Sequence, residues 1–178
     1  AYELTCRDGV QTCALPILGF VMSFTLETAL QAATARLTPD LRNYSWTKGC
    51  CPWCGSLPSI SFLSAPAVDG GEYLTGGGGQ KHLHCFLCGH DWRVGRNNCP
   101  ACGNEDKDER FYLRIQDEDG ERVDICRRCG LYLTCLDLRS SPVTPHLDLA
   151  SVGLLHLEIL ARKQGFLPLV WTPWNRLE

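Results

Sequence analysis

Leu26, Ala29, Leu30, Ala33 and Leu37 recur at roughly helical spacing, which predicts a helix over 23–37 with Ser23 or Thr25 as its cap and Pro39 as its stop. One amphipathic helix needs a surface to pack on, so it reads as the remnant of a larger helical region. Beyond it the period shortens. Ile60 and Phe62 alternate, a Gly-rich stretch follows, and His82-Leu83-His84 runs into Cys85. Phe111, Leu113 and Ile115 then alternate with Tyr112, Arg114 and Gln116. Asp117-Glu118-Asp119-Gly120 turns the chain, and Val123 and Ile125 alternate back into Cys126, which predicts a hairpin. The helical period returns after Pro145. Thr144 is placed to cap, Leu147, Leu149, Val152, Leu155, Leu157, Ile159 and Leu160 supply an apolar face, and Arg162, Lys163 and Gly165 mark the stop. The tail 166–178 has no clear period and is expected either to dock by Trp171 and Trp174 or to stay partly without order.

Composition narrows this picture through cysteine. The 178 residues could form one ordinary domain or two to three small ones, but 12 are Cys, so the chain is organised by disulfides or by metal. Eight of them form tight pairs, Cys51/Cys54, Cys85/Cys88, Cys99/Cys102 and Cys126/Cys129, a spacing that favours metal. Thiolate ligation needs reduced sulfur and therefore a cytoplasmic setting. The formal charge is −3. Two loaded four-thiolate sites at about −2 each would bring it to roughly −7, which with no Lys/Arg run excludes nucleic acid as a partner. The apolar stretch 13–24 is too short to span a bilayer and contains Pro16, so neither a membrane span nor a signal peptide is expected. Residues 1–17, with Arg7-Asp8-Gly9-Val10-Gln11-Thr12-Cys13-Ala14-Leu15-Pro16-Ile17, read as a translated sequencing adapter and are set apart, Cys6 and Cys13 with them.

Two cysteines separated by two residues let both sulfurs reach one ion, and a Gly immediately after takes a backbone conformation that a Cβ would strain. All four knuckles have that Gly, namely Gly55, Gly89, Gly103 and Gly130. Chain economy pairs the first knuckle with the second and the third with the fourth, because 55–84 and 103–125 can each form a hairpin while 89–98 is too short. The fold class expected is therefore α+β, small and metal-stabilised: two tandem zinc-ribbon modules over 49–96 and 97–140, flanked by a helical remnant at 18–48 and a C-terminal helix and tail at 141–178. Sulfur ligands do not separate iron from zinc. Closed four-sulfur sites leave no position for substrate, so the chain is not read as an enzyme. Gly76-Gly77-Gly78-Gly79-Gln80-Lys81 lacks the Ser or Thr of a phosphate loop and reads as a hairpin tip. His82, His84 and His90 read as neighbours of the site, and Cys50 and Cys135 as non-ligands.

The run Cys51-Pro-Trp-Cys54-Gly55-Ser56-Leu57-Pro58, then Leu83-His84-Cys85-Phe86-Leu87-Cys88-Gly89 with Trp92, resembles the formate dehydrogenase accessory protein family. Cys99-Pro-Ala-Cys102-Gly103, Cys126-Arg-Arg-Cys129-Gly130-Leu-Tyr132-Leu133 and Asp148-Leu149-Ala150-Ser151 are similar to its remaining landmarks, in its order, over roughly 49–165. The resemblance implies a cytoplasmic, chaperone-like accessory protein that binds a formate dehydrogenase catalytic subunit and assists its assembly or activation. It also implies that the chain is truncated at the N-terminus, where the family carries a long helical domain. On it, the knuckles form rubredoxin-like iron sites, with zinc as the alternative: Cys51, Cys54, Cys85 and Cys88 hold one ion, and Cys99, Cys102, Cys126 and Cys129 the other. A rubredoxin-like electron carrier and a zinc-ribbon interaction module stand as second and third readings, and a homodimer stays open.

Overall fold

The computed structural model describes residues 11–37, 46–64, 79–116, 120–141, 143, 145–172 and 174–176. Pro39, Thr144, Gly76–Gly78 and 117–119 of the acidic turn lie outside the described residues.

The first ribbon has three strands, β1 (Pro58–Ser64), β2 (Gln80–Cys85) and β3 (Asp91–Val94), and the second repeats the plan in β4 (Arg110–Leu113), β5 (Glu121–Cys126) and β6 (Leu131–Asp137). Pro58 opens β1, a position where its missing N–H is tolerated. The predicted hairpin is β4–β5, with Phe111 opposite Ile125 and Leu113 opposite Val123. Ile115 falls beyond the end of β4 and is exposed.

The two ribbons are joined edge to edge. Their strands form one sheet in the order β3-β2-β1-β6-β5-β4, with β1 and β6 pairing parallel from Ile60 opposite Thr134 to Leu63 opposite Asp137. The tail adds β7 (Leu167–Pro168), parallel to β6 at Leu131 and Tyr132. The opposite ends of β6 are thus held by different partners.

On one face of the sheet Ile60, Phe62, Val123, Ile125, Tyr132 and Leu136 pack against Leu147 of α2 (Leu147–Gly153) and Leu154, Leu157 and Ala161 at and within α3 (Leu155–Lys163). The expected single helix after Pro145 is therefore two. Leu154, with φ −85° and ψ 9°, leaves helical geometry after Gly153, a residue of poor helix propensity. The apolar face is also narrower than expected, since Leu149, Val152 and Ile159 point outward. The opposite face packs Leu83, Trp92, Val94 and Leu133 against Cys51, Cys85 and Cys88, with Leu30, Trp46, Trp53 and Leu169 around them.

The N-terminal helix, α1 (Gln11–Leu37), begins upstream of the expected start at Ser23. Ser23 and Thr25 consequently cap nothing, and the Thr25 hydroxyl bonds back to the carbonyls of Val21 and Met22. Of the predicted stripe, Leu30 packs against the ribbons. Leu26, Ala29 and Ala33 are exposed, while Thr34 is buried and donates to the carbonyl of Cys88 at 3.2 Å. Among the described residues the helix rests on the second knuckle through a single turn.

Gly49 sets the approach between the ribbons. A Cβ there would lie 1.8 Å from the carbonyl oxygen of Pro100, in the third knuckle, and 2.5 Å from its carbon. Both obstacles are backbone. Gly49→Ala is expected to destabilise the protein by about 1–3 kcal/mol through overpacking, read as a lower denaturant midpoint with unchanged metal content.

Candidate metal centres

Each knuckle is a tight turn closed by its own backbone. The amides of Gly55, Gly89, Gly103 and Gly130 donate to the carbonyls of Cys51, Cys85, Cys99 and Cys126 at 2.9–3.1 Å. Those glycines have φ of 66–76°, the left-handed region that a Cβ disfavours. The turn aims both sulfurs of a knuckle to the same side, and each hairpin delivers one knuckle to the next.

The result is two groups of four sulfurs, Cys51, Cys54, Cys85 and Cys88 in the first and Cys99, Cys102, Cys126 and Cys129 in the second, all within 4.8 Å of one another in each group. This is the pairing that chain economy predicts. Across the second group Cys99 to Cys129 and Cys102 to Cys126 are both 3.8 Å. A tetrahedral ion with metal–sulfur bonds of about 2.3 Å requires sulfurs about 3.8 Å apart, so the donor set fits such an ion closely. In the first group Cys51 to Cys88 is 3.5 Å and Cys54 to Cys85 is 3.3 Å, so it would open by a few tenths of an ångström.

The electrostatics favour thiolate at one sulfur of each group. Hydrogen bonds from Cys85 and Cys88, joined by the amides of Cys54 and Trp53, hold Cys51 well below the usual thiol range. Its acceptance of those bonds pushes Cys85 up, and Cys88 to about 12. In the second group burial opposes ionisation of Cys126, but the Cys129 amide and the Asn104 side chain outweigh it and bring the thiol to about 7. Burial pushes Cys129 up to about 12. A cation that binds four thiolates would displace the protons these sulfurs hold into solvent, so metal uptake strengthens as pH rises.

Asn104, buried beside the third knuckle, is the contributor that sequence reasoning missed. Its amide donates to the Cys126 sulfur at 3.7 Å. Its place directly after Gly103, where the other knuckles have Ser56, His90 and Leu131, is the signal that could have found it.

None of the three neighbouring histidines joins a sulfur group. His84 is clamped between two carboxylates, Nδ1 to Asp91 at 2.6 Å and Nε2 to Asp148 at 3.1 Å. Burial would lower it, but those two partners raise it to about 9, so it is protonated at neutral pH and ties α2 to β2. His82 stacks on Phe62 and His90 meets the Trp53 ring edge-on. Cys135 is fully buried in β6 and Cys50 is outside both groups. Lys81 is buried in an ion pair with Asp124, which agrees with rejecting a phosphate loop.

The fold and its two sites define a mixed α+β protein of the tandem-ribbon class with two tetracysteine groups. A homologue of FdhE from Aquifex aeolicus is 32% identical over 122 residues, covering 68% of this chain and 40% of that protein. FdhE of Salmonella paratyphi A is 29% identical over 125 residues, 69% of this chain and 36% of its own length. The chain belongs to this formate dehydrogenase accessory protein family. It spans about two fifths of the length of the curated relatives it matches. The crystal structure of FdhE from Pseudomonas aeruginosa has the same fold, with a TM-score of 0.64 at 22% identity over 83% of this chain and 49% of that one. No protein-family profile matches the chain.

Proposed function

We propose that this chain is a metal-binding accessory protein of formate dehydrogenase formation, acting in the cytoplasm by binding the catalytic subunit rather than by catalysis. The observation that carries the reading is the pair of four-sulfur groups in a chain of this family. With every sulfur of a group committed to one ion, no coordination position is left for a substrate, and the metal's work is to hold the ribbons. Iron is the ion proposed, on the family resemblance, with the eight cysteines of the two groups as ligands. Among the described residues no helix is long and apolar enough to cross a membrane. Leu149, Val152 and Ile159, on the outward side of α2 and α3, offer apolar side chains to a partner, whereas Trp92 is in the core.

The test is capture. The tagged chain, isolated from cells that make a formate dehydrogenase, is expected to retain the catalytic subunit, and Leu149→Asp is expected to lower the yield without changing bound metal. One observation favours the electron-carrier reading, the exposure of Cys102 in the second group. That reading replaces the first if no catalytic subunit is retained and the iron-loaded chain instead accepts and returns electrons reversibly.

A further inference from the structure

The two sulfur groups are built alike but covered differently, and the difference is written in the residues inside each knuckle. The first knuckle contains Pro52-Trp53 and the second Phe86-Leu87. These apolar pairs draw cover over the first group. Trp53, Leu87, Trp46 and Leu30 of α1 pack around it, Thr34 bonds the Cys88 carbonyl, and Phe86 meets Trp174 of the tail at 6.2 Å between ring centres. Cys51, Cys85 and Cys88 are at most 3% exposed and Cys54 is half-buried, so no ligand of this group is exposed. The third knuckle contains Pro100-Ala101 and the fourth Arg127-Arg128. Ala101, Arg127 and Arg128 are exposed, and so is the sulfur-bearing residue Cys102, with Cys129 half-buried behind it. Among the described residues, neither α1 nor an aromatic of the tail shields this group as the first is shielded.

We infer that the second site is the exchangeable one and that Cys102 is the ligand that gives way. An incoming soft donor, a thiolate or a thiol-selective chelator, bonds to the ion from the open side. The metal–sulfur bond of Cys102 breaks, and the released thiolate takes a proton from water. The ion keeps four donors and no electrons are transferred. Cys99 and Cys126, both buried, hold the ion until the second and later substitutions. The first site can follow the same course only after α1 or the tail has opened, and local opening of packed elements makes exchange slower. This inference rests on the ligation proposed above and not on the partner.

The experiment uses the full chain loaded with zinc to two equivalents by elemental analysis. It is mixed with excess chromogenic chelator and iodoacetamide, quenched over time and mapped by mass spectrometry. The expected result is two phases of one equivalent each, the first on the order of tenfold faster. Carbamidomethyl groups should appear first on Cys102 and the rest of the second group, while Cys51, Cys54, Cys85 and Cys88 stay protected. A single phase releasing both ions, or first labelling within the first group, overturns the inference. A chain that cannot be loaded to two equivalents overturns the ligation beneath it.

Discussion

Cys126→Ser is expected to take the chain from two bound ions to one and to lower the stability of both ribbons. Cys126 ends β5, is 2% exposed and receives hydrogen bonds from the Cys129 amide and Asn104. A hydroxyl there is a poor donor for a thiolate-selective ion and leaves three sulfurs around a buried gap. A tetrathiolate site contributes on the order of 10 kcal/mol to folding, and a ribbon of this size has too small a core to fold without it. The sulfurs of the first group are not touched, so their ion stays. Their ribbon does not stay indifferent, because one edge of β1 is paired with β6 of the second ribbon. Metal content should therefore fall locally while the thermal transition of what remains moves down. Elemental analysis and a melting curve on the same sample decide this. Loss of both ions, or an unshifted transition with one, would contradict the shared-sheet account.

The two four-sulfur groups were legible in the sequence because their determinants are local. A Cys-x-x-Cys-Gly knuckle closes on itself, and an alternation such as Phe111, Leu113 against Val123, Ile125 states its own hairpin. What could not be read was how the ribbons meet. Parallel pairing of β1 with β6 joins segments far apart in the chain, and it erases the alternation that would have announced it: from Tyr132 to Leu136 every residue of β6 is buried, polar Thr134 included. The break at Leu154 was hidden for a related reason. Leu147, Leu154, Leu157 and Ala161 keep helical spacing on the sheet side across the kink, so the period alone shows one helix. In α1 the stripe gave one contact residue, Leu30, and missed Thr34 beside it; among the described residues it is the turn around these two that meets the ribbons.

Lys81 is the residue whose role the sequence disguised most, and it yields the second large effect. A lysine in an alternating strand reads as solvent-facing, yet this one is 2% exposed and reaches Asp124 of β5 at 2.5 Å, linking strands that are not neighbours in the sheet. Burial would raise Asp124, but Lys81 and then Arg122 outweigh it and hold the carboxyl below its ordinary range, so it is a carboxylate at neutral pH. Removing one member strands the other, which costs about 3–5 kcal/mol for a buried pair. The two deletions should not be equal. In Lys81→Met the carboxylate keeps Arg122, whose Nε is 3.0 Å from it, and the loss falls at the low end of that range. In Asp124→Leu an ammonium whose side chain is 1% exposed loses the carboxylate it contacts, and the loss falls at the high end. Combining both replaces the pair by apolar groups of similar volume and should recover part of the stability lost in Asp124→Leu, because the buried ammonium goes with its partner and the charge left without its carboxylate is the more exposed Arg122. Denaturant unfolding of the metal-loaded wild type, two single variants and the double variant closes the cycle. A double variant as unstable as the sum of the singles would show that the two side chains act independently, and the ion pair would then not be what clamps the two ribbons together.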